Sequence, residues 1–325
     1  MKITCVMMAA NAVALSAPSI LKFKDGKQGA FMLEFDDSCE THITKAIPEL
    51  VKRDLVGTFF INPGGGPYNN RRKDWEKKVT QIPQVVIANH TFKHKGAPDL
   101  ATVEEDMILC KEVIDRVFSG GKKERRLVSF GRPGGVPWNI TNDEFNTLLK
   151  KYDLVLRPDF RGYPIHYKTE AEVLALVDQA IEKGELRYNV AHGVGGDWLS
   201  IPMDIYTNLL DKLVVNRDKL WITDPISYHK YKTEREAAKL TYHPDSTPDK
   251  PRLKLEITTD PALYDMPLTI EVPLPDTWED VKFEQKSSDP DGALLTGGIR
   301  EISNGVLRVD VSPRNSEITF AIPNF

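Results

Sequence analysis

Between residues 31 and 240 the sequence alternates short apolar runs with longer amphipathic ones. The short runs are FMLEF, VGTFFI, QVVIA, LVSF, DLVLR, RYNVA and LWIT. Each has the length of a strand, and the segments between them carry helix start signals. Thr102 with Glu105, Thr141 with Glu144, and Thr169 with Glu172 have capping-box spacing. After Thr102, residues Met107, Cys110, Ile114, Val117 and Phe118 share one helical face, which stops at Gly120-Gly121. About seven strand–helix units in a row predict a parallel sheet, either open or closed into a barrel.

In both arrangements functional groups collect at the C-terminal ends of the strands. The first strand runs into Asp36 and Asp37, and the second into Asn62 and a Pro-Gly run. His90 and His94 follow the third, and Gly131-Arg132-Pro133-Gly134-Gly135 the fourth. Asp159, His192 and Asp224 follow the fifth, sixth and seventh. The opposite strand ends carry nothing similar. This asymmetry predicts an enzyme.

Past residue 240 the period changes. TYHPDSTPDKPR, 241–252, is rich in Pro and Asp and reads as a linker. Residues 253–325 then alternate apolar and polar side chains in RLKLEITT, LTIEVPLP, VKFEQ, VLRVDVS and EITFAIP. That period predicts a small C-terminal antiparallel β-sandwich as an accessory domain. Trp278 and Tyr264 read there as core or interface residues rather than sugar platforms.

At the other end, residues 1–17 combine one Lys, an apolar run and small residues at Ala14-Leu15-Ser16. They read as a candidate signal peptide and a secreted or periplasmic protein. The alternative is an ordinary first element of the fold and a cytoplasmic chain. No run is long enough for a transmembrane helix. The net charge of −4 is spread over mixed signs with no long basic run, which argues against nucleic acid as a partner. Of the three cysteines, Cys39 and Cys110 would remain after cleavage, to pair or stay free, and no cysteine zinc pattern is present. Oligomeric state is not legible.

Adjacent carboxylates at the mouth of an apolar strand repel, and desolvation adds to the cost. A cation would offset it. His90 and His94 are four apart, one turn if the segment is helical. Two imidazoles and one carboxylate make an open zinc site, with positions left for water and substrate. Cobalt and nickel suit the same donors. The second aspartate is then free to accept a proton. His192 has the titration range of a general acid, with Asp159 or Asp224 available to hold its protonated form. The glycines of 131–135 admit close backbone approach, and the Gly134 N–H could stabilise an oxyanion. Arg132, Pro133, Gly134, Gly135, Asp159 and Trp198 are assigned to this oxyanion and substrate groove.

The motifs EFDDS, NHTFKH, FGRPGG and NVAH, in this order over roughly residues 30–230, resemble those of the polysaccharide deacetylases, the NodB homology domain of carbohydrate esterase family four. The resemblance implies a distorted (β/α) barrel of about seven strands over residues 18–240. It also implies Asp36 as general base, Asp37, His90 and His94 as zinc ligands, and His192 as general acid. The substrate implied is an acetylated glycan, peptidoglycan- or chitin-like, from which N-acetyl groups are removed.

Departures from the family pattern are visible too. Gly131 stands where the third motif has Arg, and Arg132 is displaced by one residue. Ser38 replaces the usual Gly, and the Asp–Trp motif is missing, with Asp159 as its stand-in. An O-acetyl esterase acting on acetylated xylan, or a small-amide hydrolase, would use the same machinery. An impaired carbohydrate-binding protein is the alternative outside catalysis. His42, His166, His229 and His243 read as surface or helix-cap residues, and Cys39 as a small buried one.

Overall fold

The computed structural model describes residues 17–119, 125–247, 250–275, 277–290 and 292–322. Residues 1–16 of the expected signal peptide and Gly120-Gly121 lie outside the described residues. The chain divides into two units, one of Lys22–Glu236 with Thr259–Met266, the other of the remaining residues.

After a two-residue strand, β1 (Ser19–Ile20), the chain builds a seven-stranded sheet. Its strands are β2 (Gly29–Asp36), β3 (Gly57–Ile61), β4 (Val85–Asn89), β5 (Val128–Phe130), β6 (Leu154–Leu156), β7 (Leu186–Ala191) and β8 (Leu220–Thr223). All pair in parallel, in the order β6-β5-β4-β3-β2-β7, with β8 also on β2. The helices are α1 (Ile47–Arg53), α2 (Gly66–Asn70), α3 (Arg72–Lys77), α4 (Leu100–Val113), α5 (Asn142–Lys151), α6 (Glu170–Glu182), α7 (Met203–Val215) and α8 (Pro225–Ala237). The sheet curls into a distorted barrel of the expected strand number.

Strand geometry sends successive side chains to opposite faces. Phe31, Leu33 and Phe35 of β2 join the apolar core between sheet and helices. Burying each stabilises the fold by roughly 1.5–3 kcal/mol. Met32, Glu34 and Asp36 therefore face the barrel interior. The edge strands β6 and β7 are bridged by irregular chain. Val190 donates its N–H to the Arg161 carbonyl at 2.9 Å, and a Cβ on Gly162 would lie 1.7 Å from the Val190 oxygen.

Thr141 and Thr169 form the expected capping boxes with Glu144 and Glu172. Helix α4 differs. Asp99 caps it, accepting from the Thr102 N–H at 2.8 Å, so the helix begins two residues before Thr102. Asp99 and Thr102 both compete for that end, and the carboxylate is the stronger acceptor.

The second unit is a pair of four-stranded antiparallel sheets. Its further strands are β9 (Ala238–Tyr242), β10 (Arg252–Ile257), β11 (Leu268–Pro273), β12 (Lys282–Ser287), β13 (Gly298–Ser303), β14 (Val306–Val311) and β15 (Ser316–Ala321). The orders are β1-β11-β14-β13 and β12-β15-β10-β9. The segment 241–252, read as a linker, is the turn of a hairpin within this unit. β9 pairs with β10 from Ala238–Ile257 to Tyr242–Leu253, and a bridge between Thr247 and Lys250 continues the hairpin. Trp278 is buried in this unit, as expected of a core residue. No helix among the described residues is long and apolar enough to cross a membrane.

Candidate metal and catalytic site

The C-terminal end of β2 delivers Asp36 into the barrel mouth and then turns sharply. Asp37 and Ser38 both have left-handed backbones, φ 72° and 52°. A non-glycine residue there is strained by roughly 1–2 kcal/mol. Ser38 recovers part of this, because its Oγ accepts the Asn62 N–H at 2.9 Å. The turn swings the Asp37 carboxylate toward the histidines that follow β4.

Those histidines are not on a helix. His90 directly follows β4, and His94 sits in a loop that reverses through left-handed Thr91 (φ 62°) and His94 (φ 55°). Buried side chains fix the loop. Asn89 accepts the Thr91 N–H at 2.9 Å and donates to the Met107 carbonyl at 2.9 Å. Asp106, on α4, accepts the Lys93 N–H through both oxygens at 3.0 and 3.1 Å. Thr91 Oγ1 accepts the His94 N–H at 3.1 Å. The two imidazoles meet with ring centres 5.1 Å apart.

Asp37 Oδ1 lies 3.5 Å from both His90 Nε2 and His94 Nε2. Donor atoms of these three residues all fall within 4.8 Å of one another. His90 Nδ1 is 2.8 Å from the Gly131 carbonyl, which can only accept, so Nδ1 carries the proton and Nε2 is the free donor atom. An outer hydrogen bond of this kind orients a metal-binding histidine. One carboxylate and two imidazoles of this arrangement fit a divalent transition metal. Burial lowers the pKa of His90 despite the two aspartates, which keeps it in its neutral, donating form.

Asp36 is buried beside this triad, its Oδ2 3.8 Å from His90 Nε2. Its main partner is Arg157, just past β6, which donates to Asp36 Oδ2 at 2.5 Å and to Glu34 Oε2 at 3.0 Å. The guanidinium also stacks on Phe60, 4.2 Å from the ring centre. One positive charge cannot neutralise two buried carboxylates. Burial pushes Glu34 up to about 7 against the pull of Arg157. Burial pushes Asp36 up as well, but Arg157, His90 and His192 outweigh it and hold Asp36 below the usual carboxylate range. Asp36 is thus the charged member, with a buried Oδ1 that has no hydrogen-bond partner.

On the other side of Asp37, His192 Nε2 lies 3.5 Å from Asp37 Oδ2. Its position is set through the backbone: His42 Nε2 donates to the His192 carbonyl at 2.6 Å. His42 is therefore not the surface residue expected. It is fully buried, edge-on to Phe35, Phe59 and Trp75. Phe160 packs on the His192 ring at 4.9 Å. Trp198 stands edge-on to it at 6.1 Å and is 63% exposed.

The remaining residues assigned to the groove are placed as follows. Asp159 is exposed; its carbonyl accepts the Tyr188 hydroxyl at 2.9 Å, and Phe160 is the residue of that loop that meets His192. Asp224 accepts the Ile226 and Ser227 N–H groups, which makes it the cap of α8. Arg132 stacks on Trp138, 4.3 Å from the ring centre, and is exposed. Pro133 is buried and accepts the Trp138 Nε1–H at 2.9 Å, while Gly134 and Gly135 are exposed. Cys39 and Cys110 are buried and free.

Arg157 is the residue that sequence reasoning missed. Two clues point to it. Glu34 sits inside a buried strand, which demands a cationic partner. Gly131 leaves the room: a Cβ there would come within 3.0 Å of Arg157 Nε and 2.8 Å of Phe60.

Residues 23–154 match the family model described as polysaccharide deacetylase. No curated protein matches the chain. Among solved structures, it is similar to a family 4 carbohydrate esterase from Streptomyces lividans, at 16% identity over 62% of this chain and 95% of that one, with a TM-score of 0.45. A peptidoglycan deacetylase from Bacillus subtilis is 17% identical over 65% and 94%, with a TM-score of 0.44. A polysaccharide deacetylase from Bacillus cereus is 12% identical over 60% and 90%, with a TM-score of 0.40. The match to the polysaccharide deacetylase model thus covers residues 23–154, the stretch that holds Asp37, His90 and His94.

Proposed function

We propose that this protein is an exported, metal-dependent hydrolase that removes acetyl groups from an N-acetylated glycan. The observation that supports this most is the division of the adjacent aspartates. Asp37 faces His90 and His94, while Asp36 turns away to Arg157 and remains charged. A pure binding protein has no use for that division.

Asp37, His90 and His94 would hold the metal, Zn²⁺ or else Co²⁺ or Ni²⁺. When bound, it supplies Lewis acidity for the acetyl carbonyl and for water. Asp36 accepts the proton of the attacking water at Oδ1, the oxygen that Arg157 leaves free. Arg157 locks the other oxygen, so the base has one orientation and stays ionised. His192, across Asp37, gives a proton to the departing amine nitrogen. Phe160 and Trp198 flank that imidazole and offer ring faces to a sugar, Trp198 from an exposed position. The exposed Gly134 N–H is available to the oxyanion.

The test is acetate release from N-acetylglucosamine oligomers, with acetylated xylan as the ester comparison, before and after chelation. Release from the amide substrate that stops on chelation and returns with zinc supports the proposal. Release confined to the ester turns the reading to an esterase. No release from either substrate by protein that binds zinc stoichiometrically sinks it.

A further inference from the structure

Phe160 separates the site from a second concavity. Its ring packs on His192 at 4.9 Å and on His166 at 5.7 Å. Beyond His166 lies a cleft of about 650 Å³, lined by Arg161, Tyr167, Glu172, Arg187 and Tyr188 among others. His166 was read from sequence as a surface residue; it is exposed, but it forms a wall of this cleft.

The cleft is built on rigid chain. Arg161 is held through its own carbonyl on Val190, and Gly162 packs on the Val190 oxygen with no space for a side chain. Tyr188 is fixed by its hydrogen bond to the Asp159 carbonyl. The lining carries two guanidinium groups against one carboxylate, that of Glu172. The Glu172 carboxylate is held away from the arginines by the Lys168 and Thr169 N–H groups, from which it accepts at 2.7 and 2.9 Å in the α6 capping box. Among the described residues Arg187 ion-pairs with the half-exposed Glu185, at 2.9 Å, while its Nε is buried with no hydrogen-bond partner there. Arg161 has no ion-pair partner among the described residues. Burial raises the Tyr167 hydroxyl, and Arg161 and Arg187, which share the cleft lining with it, pull against that shift.

We propose that this cleft binds the carboxylate of an acidic sugar in the glycan whose acetyl group enters the neighbouring site. The identity of the ligand as a glycan rests on the deacetylase reading. Two guanidinium forks match a carboxylate, and Tyr167 and Tyr188 supply faces for the ring that bears it. The enzyme then prefers a chain with carboxylate substituents over a neutral one of equal length.

The experiment compares two oligomers of equal length with the zinc-loaded protein. One contains N-acetylglucosamine alone; in the other every second sugar carries an O-lactyl carboxylate. Arg161→Gln and the double variant with Arg187→Gln are measured beside wild type. Losing a charge-assisted contact costs about a factor of ten in affinity. The KM for the acidic oligomer should rise by about that factor in each step, with kcat and the neutral oligomer little changed. An equal rise on both oligomers, or none on the acidic one, overturns the proposal.

If wild type releases acetate from neither oligomer, the deacetylase reading has failed and the cleft is judged by calorimetric titration alone. Binding of the acidic oligomer that Arg161→Gln weakens supports it. Equal binding of both oligomers overturns it.

Discussion

Arg157 and Asp36 form a buried ion pair at 2.5 Å, although the second and third sequence motifs lie between them in the chain. The guanidinium enters from the end of β6, through space that Gly131 leaves empty at the end of β5. The arginine missing from its usual place in the third motif is thereby replaced in charge, though not in position. The displaced Arg132 is not needed for this role.

Arg157→Met should be destabilised by about 3–5 kcal/mol, because it strands two buried carboxylates. Arg157→Lys keeps a charge but loses the fork that serves Glu34 and Asp36 together. It should fold, with kcat reduced ~10–100-fold and KM changed far less, the pattern of a misaligned base. Urea denaturation and steady-state kinetics read both. An Arg157→Met protein as stable and active as wild type contradicts the geometry described.

Zinc should stabilise the folded chain by mass action, in proportion to the logarithm of its concentration. Thermal melts of chelated protein should rise on adding zinc, by several degrees at ~100-fold excess over Kd. His94→Ala removes one of the three donors and should abolish the rise while leaving the apo melt near wild type, because His94 is only half-buried. A full zinc response in that variant would remove His94 from the ligand set.

His42 makes stability depend on pH. Burial lowers its pKa to about 4, from 6.5. Between these values the unfolded chain binds the proton and the folded one does not, so stability rises with pH through this window and is lost as pH falls. Relative to His42→Gln, wild type should lose on the order of 3 kcal/mol between pH 7 and pH 4. Denaturation curves at pH 4, 5.5 and 7 measure it. Parallel losses in both proteins would mean that His42 titrates as it does in the unfolded chain.

Gly162→Ala should destabilise the barrel more than a typical surface change. Its Cβ would overlap the Val190 oxygen, and backbone must move to admit it. An expected cost of roughly 1–3 kcal/mol follows from overpacking. Gly134→Ala, where nothing lies within 4 Å of the added atom, is the matched control and should be near neutral.

The strand–helix alternation was legible because runs such as β2 and β3 are buried along their whole length and so read as continuous apolar stretches. The site was legible where two residues sit close in sequence, as with Asp36-Asp37 and His90-His94. His192 stood out because it directly follows a strand, β7. What failed were long-range partners. Arg157 is one arginine after one short strand, and only the fold brings it to Glu34 and Asp36, more than a hundred residues away. His42 lies in a wide helical turn whose burial depends on Trp75 and Phe59. The loop that carries His94 was not legible, because its left-handed residues, Thr91 and His94, are not glycines. β1 escaped notice as a two-residue strand whose partner, β11, lies some 250 residues further on.

The claim on which the account rests is that Asp37 holds the metal and Asp36 works as the base. Zinc stoichiometry and acetate release should be measured together for wild type, Asp36→Asn and Asp37→Asn. Asp36→Asn should bind one zinc and release acetate at least ~100-fold more slowly, while Asp37→Asn should lose the zinc itself. An Asp36→Asn protein that keeps its activity, or one that loses zinc while Asp37→Asn retains it, would contradict that division.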